Sequence, residues 1–207
     1  MEIATLVVVV MVIVTALIFD FTNGFHDTAN AMATSIATGA LKPRTAVIAA
    51  GTLNLIGAFL STEVAQTISG GLINEQQVAI GPEFIFAGLV GAILWNLLTW
   101  LVGLPSSSSH ALFGGLVGAV IIGAGVEGVN FVGVLTKILI PAIVSVVVAA
   151  LAATCATKLI GFITKGIDEK QVENGFRHGQ TVTACLVALS HGTNDAQKTM
   201  GIITLTL

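Results

Sequence analysis

The amino-acid sequence predicts an all-helical (all-α) integral membrane protein built on an inverted repeat, with broken helices and a re-entrant helical hairpin. Three observations carry that prediction. Of 207 residues, 55% are hydrophobic and only 9% are charged, and the mean hydropathy is +0.97. The apolar residues fall in long blocks. A polar motif near the start of the chain returns near its end.

A soluble domain carries about 25% charged residues. With so few charges, a chain of this size cannot clothe a soluble core, whereas long uncharged blocks suit a bilayer. The net charge of −3 comes with no basic patch, so nucleic acid is excluded as a partner. Cys155 and Cys185 lie in apolar segments and read as small buried residues. No set of His and Cys has the spacing of a zinc site. The start of the chain is apolar from Ile3 to Phe19, without a basic leader or a small-residue cleavage site. It reads as a retained membrane helix.

A membrane span takes about 20 mostly apolar residues. Apolar segments occupy 3–22, 28–41, 44–62, 84–104, 110–126, 131–164 and 179–190, and another begins near 196. The segments 28–41 and 110–126 are too short to span alone. They predict a break at 23–27, with unwound backbone near Gly24, and a hairpin at 84–126; such features are tolerated only where they line a cavity. The stretch 131–164 is too long for one simple span, and Pro141 predicts a kink in it. Lys137 and Lys158 stand near its ends, where they snorkel to the two interfaces. Gly114 and Gly118 form a GxxxG pair that permits close packing but is a weak signal among 23 glycines.

Basic residues in short loops mark the cytoplasmic side. Lys42 and Arg44 share one loop, and Lys165, Lys170 and Arg177 another; Glu63, Glu75, Glu83 and Glu127 lie in loops without Lys or Arg. The expectation is a multi-pass protein of the cell (inner) membrane, with 42–44 and 165–178 in the cytoplasm.

Residues 15–32, TALIFDFTNGFHDTANAM, are echoed by 183–200, TACLVALSHGTNDAQKTM. Thr15, Ala16, Gly24, Asp27 and Met32 coincide with Thr183, Ala184, Gly192, Asp195 and Met200. The domains then read as a first repeat over 1–166, a cytoplasmic linker over 167–178, and the start of a second repeat over 179–207. Residues equivalent to 44–166 have no second copy. The expectation is that another chain or an absent segment supplies them, or that a short protein completes itself by dimerising. Repeats of this kind build many secondary transporters, with the substrate site where the repeats meet near the bilayer midplane.

Asn23, Asp27, Asn30, Thr34 and Thr38 follow helical steps and form one polar stripe. Carboxylate, amide and hydroxyl oxygens suit a hard cation such as sodium. Asn194 and Asp195 offer a matching set, and Lys198 stands at the counterpart of Asn30. That lysine pairs with Asp195 or meets an anion. His26 and His191 read as hydrogen-bonding neighbours rather than ligands. In GLPSSSSHALFGG, residues 103–115, Ser106, Ser107, Ser108 and Ser109 stand where a helix begins after Pro105. Free N–H groups and hydroxyls there suit an oxyanion that must also leave. Glu63 and His110 are a gate or accessory groups, as is Lys198.

The chain resembles the inorganic phosphate transporter family often called PiT. The resemblance rests on residues 24–31, GFHDTANA, on GTND at 192–195, and on PSSSSH at 105–110. It covers the whole chain but only the first part of the family's length. It implies two inverted repeats, each with a hairpin, and phosphate uptake coupled to sodium or protons. It further implies that Asp27, Asn30, Asn194 and Asp195 help bind cations, with Asn23 beside them, and that the hairpin serines contact phosphate, with Thr28 beside them. Co-transported sodium, inorganic phosphate, the lipid bilayer, the remaining half of the transporter and a homodimer partner are the partners expected. Neutral Asn and Thr ligands beside Asp27 favour sodium over protons; a proton-coupled phosphate or sulfate permease is the rival. An intramembrane serine hydrolase, using Ser106–Ser109 with His110, lacks a G-x-S-x-G elbow. A channel is a further alternative, disfavoured by paired buried acids.

Overall fold

The computed structural model describes residues 3–60, 72–73 and 81–206; within them, the side chains of residues 4, 5, 25, 26, 28–30, 169 and 205 are outside the description. The described chain is helical: α1 (Ile3–Ala37), α2 (Pro43–Ala58), α3 (Pro82–Leu101), α4 (Ser108–Ala124), α5 (Phe131–Ile163) and α6 (Glu169–Thr206). Among the described residues, three stretches are long and apolar enough to cross a membrane: Leu6–Gly24, Pro82–Leu101 and Phe131–Ile163.

The break expected at 23–27 is absent. Helix α1 runs through Gly24 for 35 residues. One glycine in a helix costs only about 1 kcal/mol, whereas unpaired backbone groups in lipid cost several. Side chains, not unwound carbonyls, are what α1 presents to its neighbours. The segments 179–190 and 196 onward likewise belong to one helix, α6, which begins at Glu169 and so takes in most of the expected linker 167–178. Irregular backbone appears instead in α5. A π turn at Leu135–Leu139 ends two residues before Pro141, whose missing N–H prevents regular hydrogen bonding. This is the disturbance that Pro141 predicts.

Helices α3 and α4 form the expected hairpin. Its close approach uses Gly88 and Gly115, since a Cβ on Gly115 would run into the Gly88 carbonyl oxygen. Gly114 and Gly118 face open space. Helix α4 has 17 residues, about 25 Å at 1.5 Å per residue, which falls short of the roughly 30 Å hydrocarbon core.

Two apolar clusters fix the site between them. In the first, Val12 and Phe19 of α1 pack with Leu89 of α3, Leu112 of α4 and Ile202 of α6. In the second, Met32 of α1 packs with Ala46 and Ala50 of α2 and with Ala184 and Ala188 of α6. Early α1 thus meets late α6, and late α1 meets early α6, so the two copies of the motif run antiparallel. Lipid is as apolar as these side chains, so close fit rather than water exclusion holds them. Small residues serve that fit: a Cβ on Gly192 would strike the Asn54 carbonyl of α2.

Helix α5 is the reverse of a soluble helix. Its section Ile140–Ile163 has no buried residue. Cys155, expected to be buried, is exposed there. At the far end of α1, Thr38 donates to Gln180 Oε1 of α6 at 2.8 Å. That contact brings the end bearing Lys42 and Arg44 toward the start of α6, which carries Lys170 and Arg177.

Candidate functional site

The polar residues of the two motif copies sit between the two apolar clusters. On α1 they lie between Phe19 and Met32; on α6, between Ala188 and Ile202. One helical repeat separates Asn23 from Asp27, and another separates His191 from Asp195, so each pair shares a helix face. The start of α4 comes level with Asp27, in the second half of α1.

Asp195 is the centre of the network. Its Oδ2 accepts from Asn23 Nδ2 at 2.6 Å and lies 2.9 Å from His191 Nε2. Its Oδ1 accepts from Lys198 Nζ at 2.6 Å. Lys198 also donates to Ser108 Oγ at 3.1 Å, and Ser108 donates to Asp27 Oδ2 at 3.1 Å. His191 Nε2 lies 3.8 Å from the same Asp27 oxygen. Asn23 is 1% exposed, Ser108 2% and Lys198 5%. Unpaired charges at such depth are costly, so pairing and hydrogen bonds are what make the cluster tolerable.

Ligand atoms of Asp27, His191 and Asp195 lie within 4.8 Å of one another. Spacing along the chain could not reveal this grouping, because α1 and α6 are remote in sequence. Asn23 Oδ1 is buried with no hydrogen-bond partner among the described residues. A buried acceptor without a donor is the condition a cation relieves. Asn54 Oδ1 on α2 is in the same state. Both asparagines line a cavity of about 300 Å³ with Asp20, His191 and Asp195.

A second cavity, of about 550 Å³, lies on the other side of the carboxylates. Asp27, Ser107, Ser108, Ser109, Asn194 and Lys198 line it, together with Lys137 from the π turn of α5. Its character is that of an anion site beside acids: hydroxyls, two lysines and the start of α4. Ser107 caps that helix, accepting from the His110 N–H at 3.4 Å. The four serines do not act as one set. Ser106 accepts from Trp95 Nε1 at 3.0 Å, and faces a third cavity, of about 640 Å³, with Trp95 and His110. Ser107 borders both.

Several sequence expectations are sharpened. Lys198 pairs with Asp195 rather than standing free for an anion alone. Asn194 is exposed to the second cavity, its Nδ2 donating to the Ser190 carbonyl at 3.1 Å. Thr34 and Thr38 leave the site: both are exposed, and Thr38 is engaged by Gln180. Lys137, expected at an interface, lines the second cavity. The side chains of Thr28, Asn30 and His26, and all of Glu63, lie outside the described residues. Asp20, Asn54 and Lys137 were missed as site residues. Asp20 stands one turn before Asn23 on the same face, and Asn54 is an isolated amide in an apolar segment; both signals were available.

The model of the phosphate transporter family PHO4 matches residues 23–207. The chain belongs to that family. Its members are transporters, which removes the serine-hydrolase alternative. A probable low-affinity inorganic phosphate transporter of Mycobacterium bovis is 59% identical over 202 residues, covering 98% of this chain and 48% of its own. One of Bacillus subtilis is 45% identical, covering 98% of this chain and 60% of its own. The low-affinity inorganic phosphate transporter PitB of Escherichia coli is 32% identical, covering 100% of this chain and 47% of its own. The chain therefore spans about half the length of the curated relatives it matches. A solved structure described as the sodium-dependent phosphate transporter superposes with a TM-score of 0.85 at 24% identity, covering 97% of this chain and 67% of its own. That likeness shows that the fold is shared.

Proposed function

We propose that this chain carries the ion- and phosphate-handling core of a sodium-coupled inorganic phosphate symporter of the cell membrane, working by alternating access. The observation that carries the reading is the bridge made by Ser108. Its hydroxyl touches Asp27 on one side and Lys198 on the other, so acids suited to a cation and groups suited to an oxyanion share one hydrogen-bonded chain. The relatives' names give phosphate as their substrate, and the solved structure's name gives sodium.

The chemistry follows from charge. Taking phosphate from water into a protein cavity between apolar layers is costly. Sodium held by Asp27 with Asn23 and Asn30 offsets the anion's charge, and Asn194 and Asp195 form the matching half of the site. The hydroxyls of Ser107, Ser108 and Ser109, with Thr28, give phosphate hydrogen-bond partners that release it again. Ser106 and His110 border the adjoining cavity and act as accessory groups, and Glu63 as a gate. The antiparallel motif copies supply the pseudo-symmetry that an inverted repeat uses to switch access. The exposed apolar surface of α5 is assigned to lipid, to a homodimer partner and to the rest of the second repeat.

The test is uptake of radiolabelled phosphate into proteoliposomes with and without sodium, for the wild type and Asp27→Asn. Sodium should stimulate the wild type and not the variant. Full uptake in sodium-free buffer under a proton gradient would move the reading to a proton-coupled carrier, and stronger uptake of sulfate would change its substrate.

A further inference from the structure

We infer that Lys198 is a tethered cation that occupies, at the second motif copy, the place a mobile cation would otherwise take, and so sets how many ions accompany each phosphate. The inference deepens the sodium-coupled reading and rests on it for the identity of the mobile ion.

The repeat supplies the first argument. An offset of 168 aligns Lys198 with Asn30, so a fixed positive charge stands where the first copy has a neutral amide. The geometry supplies the second. Lys198 is 5% exposed, and its Nζ lies 2.6 Å from Asp195 Oδ1. The other oxygen of Asp195 already meets Asn23 Nδ2 and His191 Nε2. Both oxygens of this carboxylate therefore face donors from the protein itself. A mobile cation at Asp195 competes with the ammonium, which is strongly held in a buried pair. An ammonium is a compact point charge with three donors. It neutralises the carboxylate as an ion would, but it cannot leave with the substrate.

Lys198 also makes a second contact. Nζ also reaches Ser108 Oγ at 3.1 Å, and Lys198 lines the cavity that holds Ser107 and Ser109. The fixed charge is thus shared between Asp195 and the site assigned to phosphate. It offsets part of the anion's charge in every transport cycle without consuming an ion gradient. A lysine here is a specificity-determining residue for ion coupling rather than a structural pair alone.

The experiment compares wild type, Lys198→Asn and Lys198→Arg as full chains in proteoliposomes, reading the ratio of radiolabelled sodium to radiolabelled phosphate taken up. Lys198→Asn should carry one more sodium per phosphate and show a steeper sodium dependence; Lys198→Arg should keep the wild-type ratio. An unchanged ratio in an active Lys198→Asn would overturn the inference. If that variant does not transport, equilibrium binding of radiolabelled sodium to the purified, monodisperse protein replaces flux: one additional ion per chain supports the inference, and the same count contradicts it. The two readings fail separately. Wild-type uptake indifferent to sodium sinks sodium coupling alone, and sodium stimulation newly present in Lys198→Asn would still support the tethered cation; indifference in both would sink it too.

Discussion

The two copies of the repeated motif place an aspartate at the same register but give it different company. Asp27 on α1 meets the neutral hydroxyl of Ser108 at 3.1 Å and, farther off at 3.8 Å, the imidazole of His191. Asp195 on α6 meets an ammonium, an imidazole and an amide, at 2.6, 2.9 and 2.6 Å. Equivalent positions in a repeat need not do equivalent work. A repeat brings two carboxylates together, and the residues around each decide whether it holds its own counter-charge or one borrowed from solution.

The largest way to break that comparison is to remove the carboxylate that carries its own counter-charge. Asp195→Ala leaves the Lys198 ammonium buried without its partner, and breaking such a pair costs about 3–5 kcal/mol. Denaturation in detergent micelles should register that loss. Replacing both residues with apolar ones of similar volume, Asp195→Leu with Lys198→Met, should recover most of it. A single variant as stable as the wild type would mean that Asp195 and Lys198 are not coupled.

Next in size is the scaffold that aligns the second copy. A methyl group at Gly192 would press on the Asn54 carbonyl, so Gly192→Ala should cost about 1–3 kcal/mol and lower the apparent affinity for sodium as well. Gly114→Ala, which faces open space, should change neither. Equal effects of the two would remove the argument for a close α2–α6 approach.

Ser108→Ala sharpens the comparison at the bridge itself. The fold should persist, but sodium should lose most of its effect on phosphate affinity, a change of at least about tenfold or 1.4 kcal/mol. Calorimetric titration of phosphate in sodium and in choline buffers would read it. The smallest effect belongs to Thr38→Val, at the exposed Gln180 contact. It should stay within about 0.5 kcal/mol and leave uptake unchanged, because the stripe on α1 stops being functional before it reaches Thr38.

Much of this was legible in the sequence. Long uncharged blocks announced membrane helices, the α3–α4 hairpin was announced by the short segment after Pro105, though its contact glycines were not, and the echo at Asp195 announced the second carboxylate. What was not legible had physical causes. Gly24 suggested an unwound helix, yet packing against the hairpin and α6 holds α1 continuous. The four serines read as one cluster, yet at the start of a helix successive residues point in different directions, so Ser106 and Ser108 face different cavities. His191 lies far from Asp27 in sequence, so their approach to 3.8 Å had no local signal. Lys137 looked like an interfacial anchor because its place depends on the π turn before Pro141.

The central claim is that cation and phosphate are handled by one connected cluster in which α1, α4 and α6 meet. Coupling between two ligands is reciprocal, so it is read most directly as the affinity for phosphate with and without sodium. Calorimetric titration of the purified wild-type chain should give binding at least about tenfold tighter in sodium than in choline buffer, a coupling of about 1.4 kcal/mol. Equal phosphate affinity in the two buffers would contradict the account.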